Sequence, residues 1–168
     1  AEYDTPYQVP PFDKIKNEHF EPAFLEGLKI QSEEMNKIAN ETTEPNFENT
    51  ILAMENSGEL LDKVSTVFSN LTSAHTNDTL QALAQKNAPL LSKHKDDIYL
   101  NEKLFQRVKS VYDNQAKFNL NAEQKKLLEE QYKKFVRSGA NLDDAGKDKL
   151  RKLNEELSVL SIKFGDNL

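Results

Sequence analysis

Leu150, Leu153, Leu157, Leu160 and Phe164 follow one another in steps of three, four, three and four residues near the end of a 168-residue chain. Steps of that size keep side chains on one side of an α-helix but scatter them over both faces of a strand, so the segment reads as helical. The row is narrow, like the seam of a helical hairpin or coiled coil, and such a seam calls for a partner helix. The same period recurs upstream. Phe24, Leu28, Met35 and Ile38 form one stripe, and Phe47, Ile51, Met54, Leu61, Val64, Phe68 and Leu71 form a second. Leu80, Leu83, Leu90, Leu91 and Ile98 make a third, Leu104, Val108, Val111 and Phe118 a fourth, and Leu128, Tyr132, Phe135 and Val136 a fifth. No stretch alternates with period two for long enough to suggest a strand. The expected fold is all-α, with about six helices in an antiparallel bundle or in stacked hairpins.

Local signals punctuate these stripes. Pro22 is acceptable in the first turn of the first helix, and the segment from Asn40 to Asn46 breaks it. Asn46, after Pro45, is a natural N-cap for the second helix, which would run for ~28 residues and about 42 Å with a bend at Ser57-Gly58. Thr76-Asn77-Asp78 restarts the chain, Asn101 caps the fourth helix, and Asn121 with Gln124 resembles a capping box for the fifth. Ser138-Gly139 is a C-terminal stop, and the acidic pair Asp143-Asp144 favours the start of the sixth helix. Residues 1–16 hold three of the six prolines, including Pro10-Pro11, and read as an extended arm with Tyr3, Tyr7 and Phe12 as anchors onto a larger body. The expected organisation is therefore an arm over 1–16 and a helical domain over 17–168.

Composition removes several kinds of chemistry. With no cysteine there is no disulfide, thiolate nucleophile or cysteine zinc site. The net charge of −6 argues against a nucleic-acid partner, although residues 1–84 carry 5 Lys/Arg against 15 Asp/Glu and residues 85–168 carry 17 against 13. That basic second half is expected to be solvated helix faces with interleaved charges. No apolar run approaches the length of a membrane-spanning helix, so no membrane partner is expected, and the first residues do not read as a signal peptide. Of the three histidines, His19, His75 and His94, none lies in a His-Glu-x-x-His pattern or has Glu three residues before it. His94 has Asp97 one turn later, which reads as an ordinary His–Asp contact rather than half a metal site. The adjacent acid pairs Glu33-Glu34, Asp96-Asp97, Glu129-Glu130, Asp143-Asp144 and Glu155-Glu156 point about 100° apart on a helix and are expected to be solvated rather than catalytic. Asn40, Asn70 and Asn77 open glycosylation triplets by chance, and phosphate-binding glycine loops and nucleophile elbows are missing.

Three stretches carry a more specific signal: PPFDKIKNEHFEPAFLEGL at 10–28, PNFENTILAMENSGELLDKVSTVFSNLTSAHTND at 45–78, and YKKFVRSGANLDDAGKDKLRKLNEELSVLSIKFGDNL at 132–168. In this order and spacing they resemble the N-terminal region of the thimet-oligopeptidase-like zinc metallopeptidases, nearest to bacterial peptidyl-dipeptidases and oligopeptidases. The resemblance covers nearly the whole chain. It implies a parent whose two helical lobes enclose a channel, with zinc held by a His-Glu-x-x-His helix and a further Glu, and with short peptides as substrates. This chain would be a wall of that channel and would bind its own catalytic domain. No zinc ligand, general base or substrate-carboxylate binder can be carried onto any position here, so catalytic, cofactor and metal residues are expected to be none, with zinc only in the parent. Lys163 and Gly165 could close the last helix with residues 166–168 as a tail, but the resemblance implies that the polypeptide continues beyond Leu168. The expected compartment is the cytoplasm, with the periplasm as the alternative if a signal peptide precedes Ala1. The competing reading is a self-contained helical interaction module without enzymatic activity.

Overall fold

In a computed structural model of the chain, residues 3–165 are described, and the tail at 166–168 lies outside them. All regular structure among the described residues is helical. Helix α1 spans Phe20–Ala39. A π-helical segment, Phe47–Leu52, runs into the single turn α2, Ala53–Glu55. There follow α3 at Glu59–Ala74, α4 at Asp78–Tyr99, α5 at Glu102–Asp113, α6 at Ala122–Arg137 and α7 at Asp144–Gly165. Six of these are long, as the stripes require.

The caps form where side chains can satisfy the first backbone donors of a helix. Asn77 and Asn101 accept from Leu80 N and Leu104 N at 3.0 and 3.2 Å. Asn121 and Gln124 close a reciprocal capping box at 2.8 and 3.0 Å. Asn46 does the same with Asn49, at 2.8 and 2.9 Å. Asp143 accepts from Gly146 N at 2.8 Å, so the acidic start of α7 is a true cap.

Three expectations need correction. The second helix is not continuous, because the chain breaks at Asn56-Ser57-Gly58. Gly58 sits at φ 78 and donates its N–H to Glu34 Oε2 at 2.8 Å, which fixes α3 as a separate element. A Cβ there would stand 2.2 Å from Gln31 Nε2, so the turn admits only glycine without rearrangement. Phe118 is not helical either. Asn114 ends α5, a 3₁₀ turn at Gln115–Lys117 follows, and Phe118 returns to the core from extended backbone. The arm is not uniformly extended: a 3₁₀ turn occupies Pro6–Gln8, with Tyr7 98% exposed, and a second 3₁₀ turn, Asn17–His19, follows the arm.

The apolar stripes close two clusters that share α1 and α4. Phe20 and Phe24 of α1 meet Phe68 of α3 edge-on, with ring centroids 5.1 and 5.3 Å apart, beside Leu61, Val67 and Leu80. Gly27 lets α3 approach here, since a Cβ would lie 3.0 Å from Leu61 Cα. The larger cluster joins Met35 and Ile38 to Phe47, Ile51 and Met54, and to the α5–α6 hairpin through Leu104, Val108, Val111, Leu128 and Phe135. Arg107 ties the loop after α1 to this hairpin. It donates to Glu41 O and Thr43 O at 2.7 and 3.2 Å, and to Asn49 Oδ1 and Thr50 Oγ1 at 3.1 and 3.3 Å.

Candidate functional site

Two places could carry function: the polar joint between α1 and α4, and the outer surface of α7. The joint is built around His94. Its Nε2 lies 2.7 Å from Gln31 Oε1, an acceptor only, so Nε2 carries the proton. Nδ1 then accepts from the Ser32 hydroxyl at 3.3 Å. Burial lowers the His94 pKa, with Lys93 adding to the effect and Asp97 opposing it. A neutral ring therefore bridges the two helices. Asp97 lies near enough for its charge to act on His94, but its bonds go to Lys93 and to Arg151 of α7, the latter at 2.8 Å. Although serine, histidine and aspartate meet here, no carboxylate orients the ring, and nucleophilic catalysis needs that third group.

The expectation that the acid pairs are solvated fails at Asp96. Asp96 is 6% exposed, not solvated, and accepts from Asn154 Nδ2 of α7 at 2.7 Å. Burial raises its pKa, while the Asn154 hydrogen bond and the charge of Arg151 pull the other way. Lys147 adds a bond to Glu102 Oε2 at 3.0 Å. The attachment of α7 to the body is thus largely polar, and neither apolar cluster contains an α7 residue.

Beyond Leu150, the apolar seam of α7 faces away from the body. Leu153, Leu157, Leu160 and Phe164 are 52, 61, 60 and 68% exposed. These are four large apolar side chains on one helical row, uncovered together rather than scattered over the surface. The sequence announced the row but not that the chain would leave it open. Arg107 was missed altogether, since a single arginine on a helix carries no pattern.

The zinc implied by the resemblance requires three or four converging side-chain ligands. His19 accepts from Lys16 N at 3.3 Å, His94 is engaged as described, and among the described residues no group of three His, Asp or Glu is gathered to hold a metal. The described residues do not fit a zinc site. No helix among the described residues is long and apolar enough to cross a membrane.

No family model matches the chain. Relatives nevertheless cover almost all of it. The chain is 44% identical over 163 residues to dipeptidyl carboxypeptidase of Escherichia coli (strain K12), covering 97% of this chain and 24% of that protein. Oligopeptidase A of the same organism is 24% identical over 164 residues, or 98% of this chain and 24% of the relative. Saccharolysin of Saccharomyces cerevisiae is 30% identical over 123 residues, 73% of this chain and 16% of the relative. The helical architecture and these relatives together define a piece of a peptidase family. The chain belongs to the dipeptidyl carboxypeptidase and oligopeptidase A family, corresponds to the N-terminal quarter of its members, and spans about a quarter of the length of the curated relatives it matches.

Proposed function

We propose that this chain is the channel-wall domain of a zinc metallopeptidase that hydrolyses short peptides, with residues 17–168 as the wall and 1–16 as an arm laid on the rest of the enzyme. The observation that carries the reading is the uncovered row Leu153, Leu157, Leu160 and Phe164 in a chain that spans 24% of its 44%-identical relative. Such a row loses roughly 25 cal/mol for each Å² of apolar surface left in water, and the catalytic region of the same polypeptide is the natural cover. Fully exposed Tyr7 supports the same role for the arm. The wall acts sterically: it keeps folded proteins out and leaves unfolded peptides a path to a metal held elsewhere. Zinc, when bound in the catalytic region, would polarise the scissile carbonyl and activate water.

The test compares two polypeptides on a blocked tetrapeptide. The complete polypeptide that carries this chain releases peptide fragments, stops when a chelator is added and recovers with zinc. The 168 residues alone release nothing. Chelator-sensitive hydrolysis by the 168 residues would overturn the reading, and an inert complete polypeptide would favour a self-contained interaction module.

A further inference from the structure

The two sides of the α4–α7 contact treat charge differently. On one side Lys93 and Arg151 both reach Asp97, and the charges are closed within the chain. On the other side a groove of about 530 Å³ runs between α4 and α7 to the C-terminal end of α6. Its floor combines small and apolar groups, among them Ala88, Leu91 and Leu150, and Leu157 joins it to the uncovered row on α7. Lys95 and Arg137 line the same groove. Among the described residues neither side chain has a hydrogen bond or an ion pair within 4 Å, although the charge of Lys95 is felt by adjacent Asp96. The carboxylate in the lining is Asp96, which is buried and already held by Asn154.

We propose that this groove receives an amphipathic helix from the part of the enzyme outside these 168 residues, and that the helix brings carboxylates to Lys95 and Arg137. The proposal rests on the peptidase reading and adds the chemistry of the partner. An apolar-floored groove continuous with leucines spaced by three and four residues is the kind of surface that takes a helix through anchors at i, i+3, i+4 and i+7. A neutral helix laid there would strip water from two cations without replacing it, which is unfavourable, whereas an acidic one pairs them. The relatives' length supplies the source, because the chain accounts for 24% of it and a covalently joined helix acts at high effective concentration. A second copy of this chain fits poorly. It would bring Lys95 and Arg137 toward themselves across a two-fold axis, setting like charges against each other.

The experiment places the photo-crosslinking residue p-benzoylphenylalanine at exposed Ser161, beside the groove, in the complete polypeptide, and maps the products by mass spectrometry. The expected product joins residue 161 to a helical segment outside the 168 residues that carries at least two Asp or Glu residues within one turn. Exchanging both cations, as Lys95→Glu with Arg137→Glu, is expected to lower the yield roughly fivefold. Circular dichroism of the doubly exchanged 168-residue chain checks that the fold survives. Products confined to residues 3–165, products between isotopically distinct copies, a partner segment without carboxylates, or an unchanged yield each overturn the proposal. Peptide hydrolysis by the same preparation separates the two readings. An active enzyme that crosslinks elsewhere removes the groove assignment alone, whereas an inert one removes the peptidase assignment.

Discussion

Helices α6 and α7 carry apolar stripes of similar clarity, yet the protein uses them in opposite ways. Phe135 and Leu128 of α6 are completely buried against α5, with Phe135 meeting the rings of Tyr99 and Phe105 at centroid distances of 5.0 and 6.0 Å. No described residue of α7 is buried; Lys147, Arg151 and Asn154 bond it to the body, and half-buried Leu150 packs beside Gly139. A stripe establishes that a helix has an apolar face. Whether the same chain covers that face depends on which elements the connections bring alongside. In α6 the two turns on either side leave α5 within reach; in α7 the capped start at Asp143 sends the helix along α4 on its polar row instead.

The sharpest way to break this contrast is to truncate one side chain from each helix in the isolated chain. Phe135→Ala is expected to cost about 3–5 kcal/mol in urea unfolding, as large cavities do. Leu160→Ala is expected to stay within about 0.5 kcal/mol, because the residue is already in water. Equal losses would mean that α7 is packed in solution. In the complete polypeptide the Leu160→Ala cost should rise, and that increase measures the cover directly.

A smaller effect tests the joint between the clusters. Gly58→Ala forces a side chain into the left-handed region and into Gln31, and is expected to cost about 1–2 kcal/mol while leaving the α5–α6 core intact. Hydrogen exchange should show faster opening at α1 and α3 than at α6.

The smallest effect is a pH dependence that belongs to the joint and not to α7. Burial holds the His94 pKa below its ordinary value near 6.5, so the unfolded chain takes up the proton first. The contribution of His94 to stability is therefore complete above about pH 6.5. It falls as the pH drops below that value and levels off below the depressed folded pKa. His94→Gln should flatten this part of the melting-temperature profile relative to the unmodified chain, and an unchanged slope would show that His94 is not the group responsible.

Much of this structure was legible locally. Helix starts at Asn46, Asn77, Asn101 and Asn121 could be read because a cap is settled by a side chain and a backbone donor only three residues away. The break at Gly58 was read too weakly, as a bend. A glycine costs roughly 1 kcal/mol in a helix interior, too little to decide a break by itself, and here the left-handed Gly58 gives its N–H to Glu34, twenty-four residues earlier. The family was legible from the order of three motifs, since such an order records descent rather than local energetics.

The partners of polar side chains were not legible. His94 turned from nearby Asp97 to Ser32 and Gln31, more than sixty residues away, and Asp96 went from an expected solvated acid to a buried acceptor for Asn154. Arg107 gave no sign of its grip on the Asn40–Thr50 stretch. By itself the sequence determined that the chain is helical, where most helices begin, and which face of each is apolar, because these follow from the 3.6-residue period and from contacts within one turn. Only the tertiary structure decided which apolar faces this chain closes for itself and which one, on α7, it leaves uncovered. Burial is a property of neighbours, and the neighbours are set by packing between elements far apart in the chain.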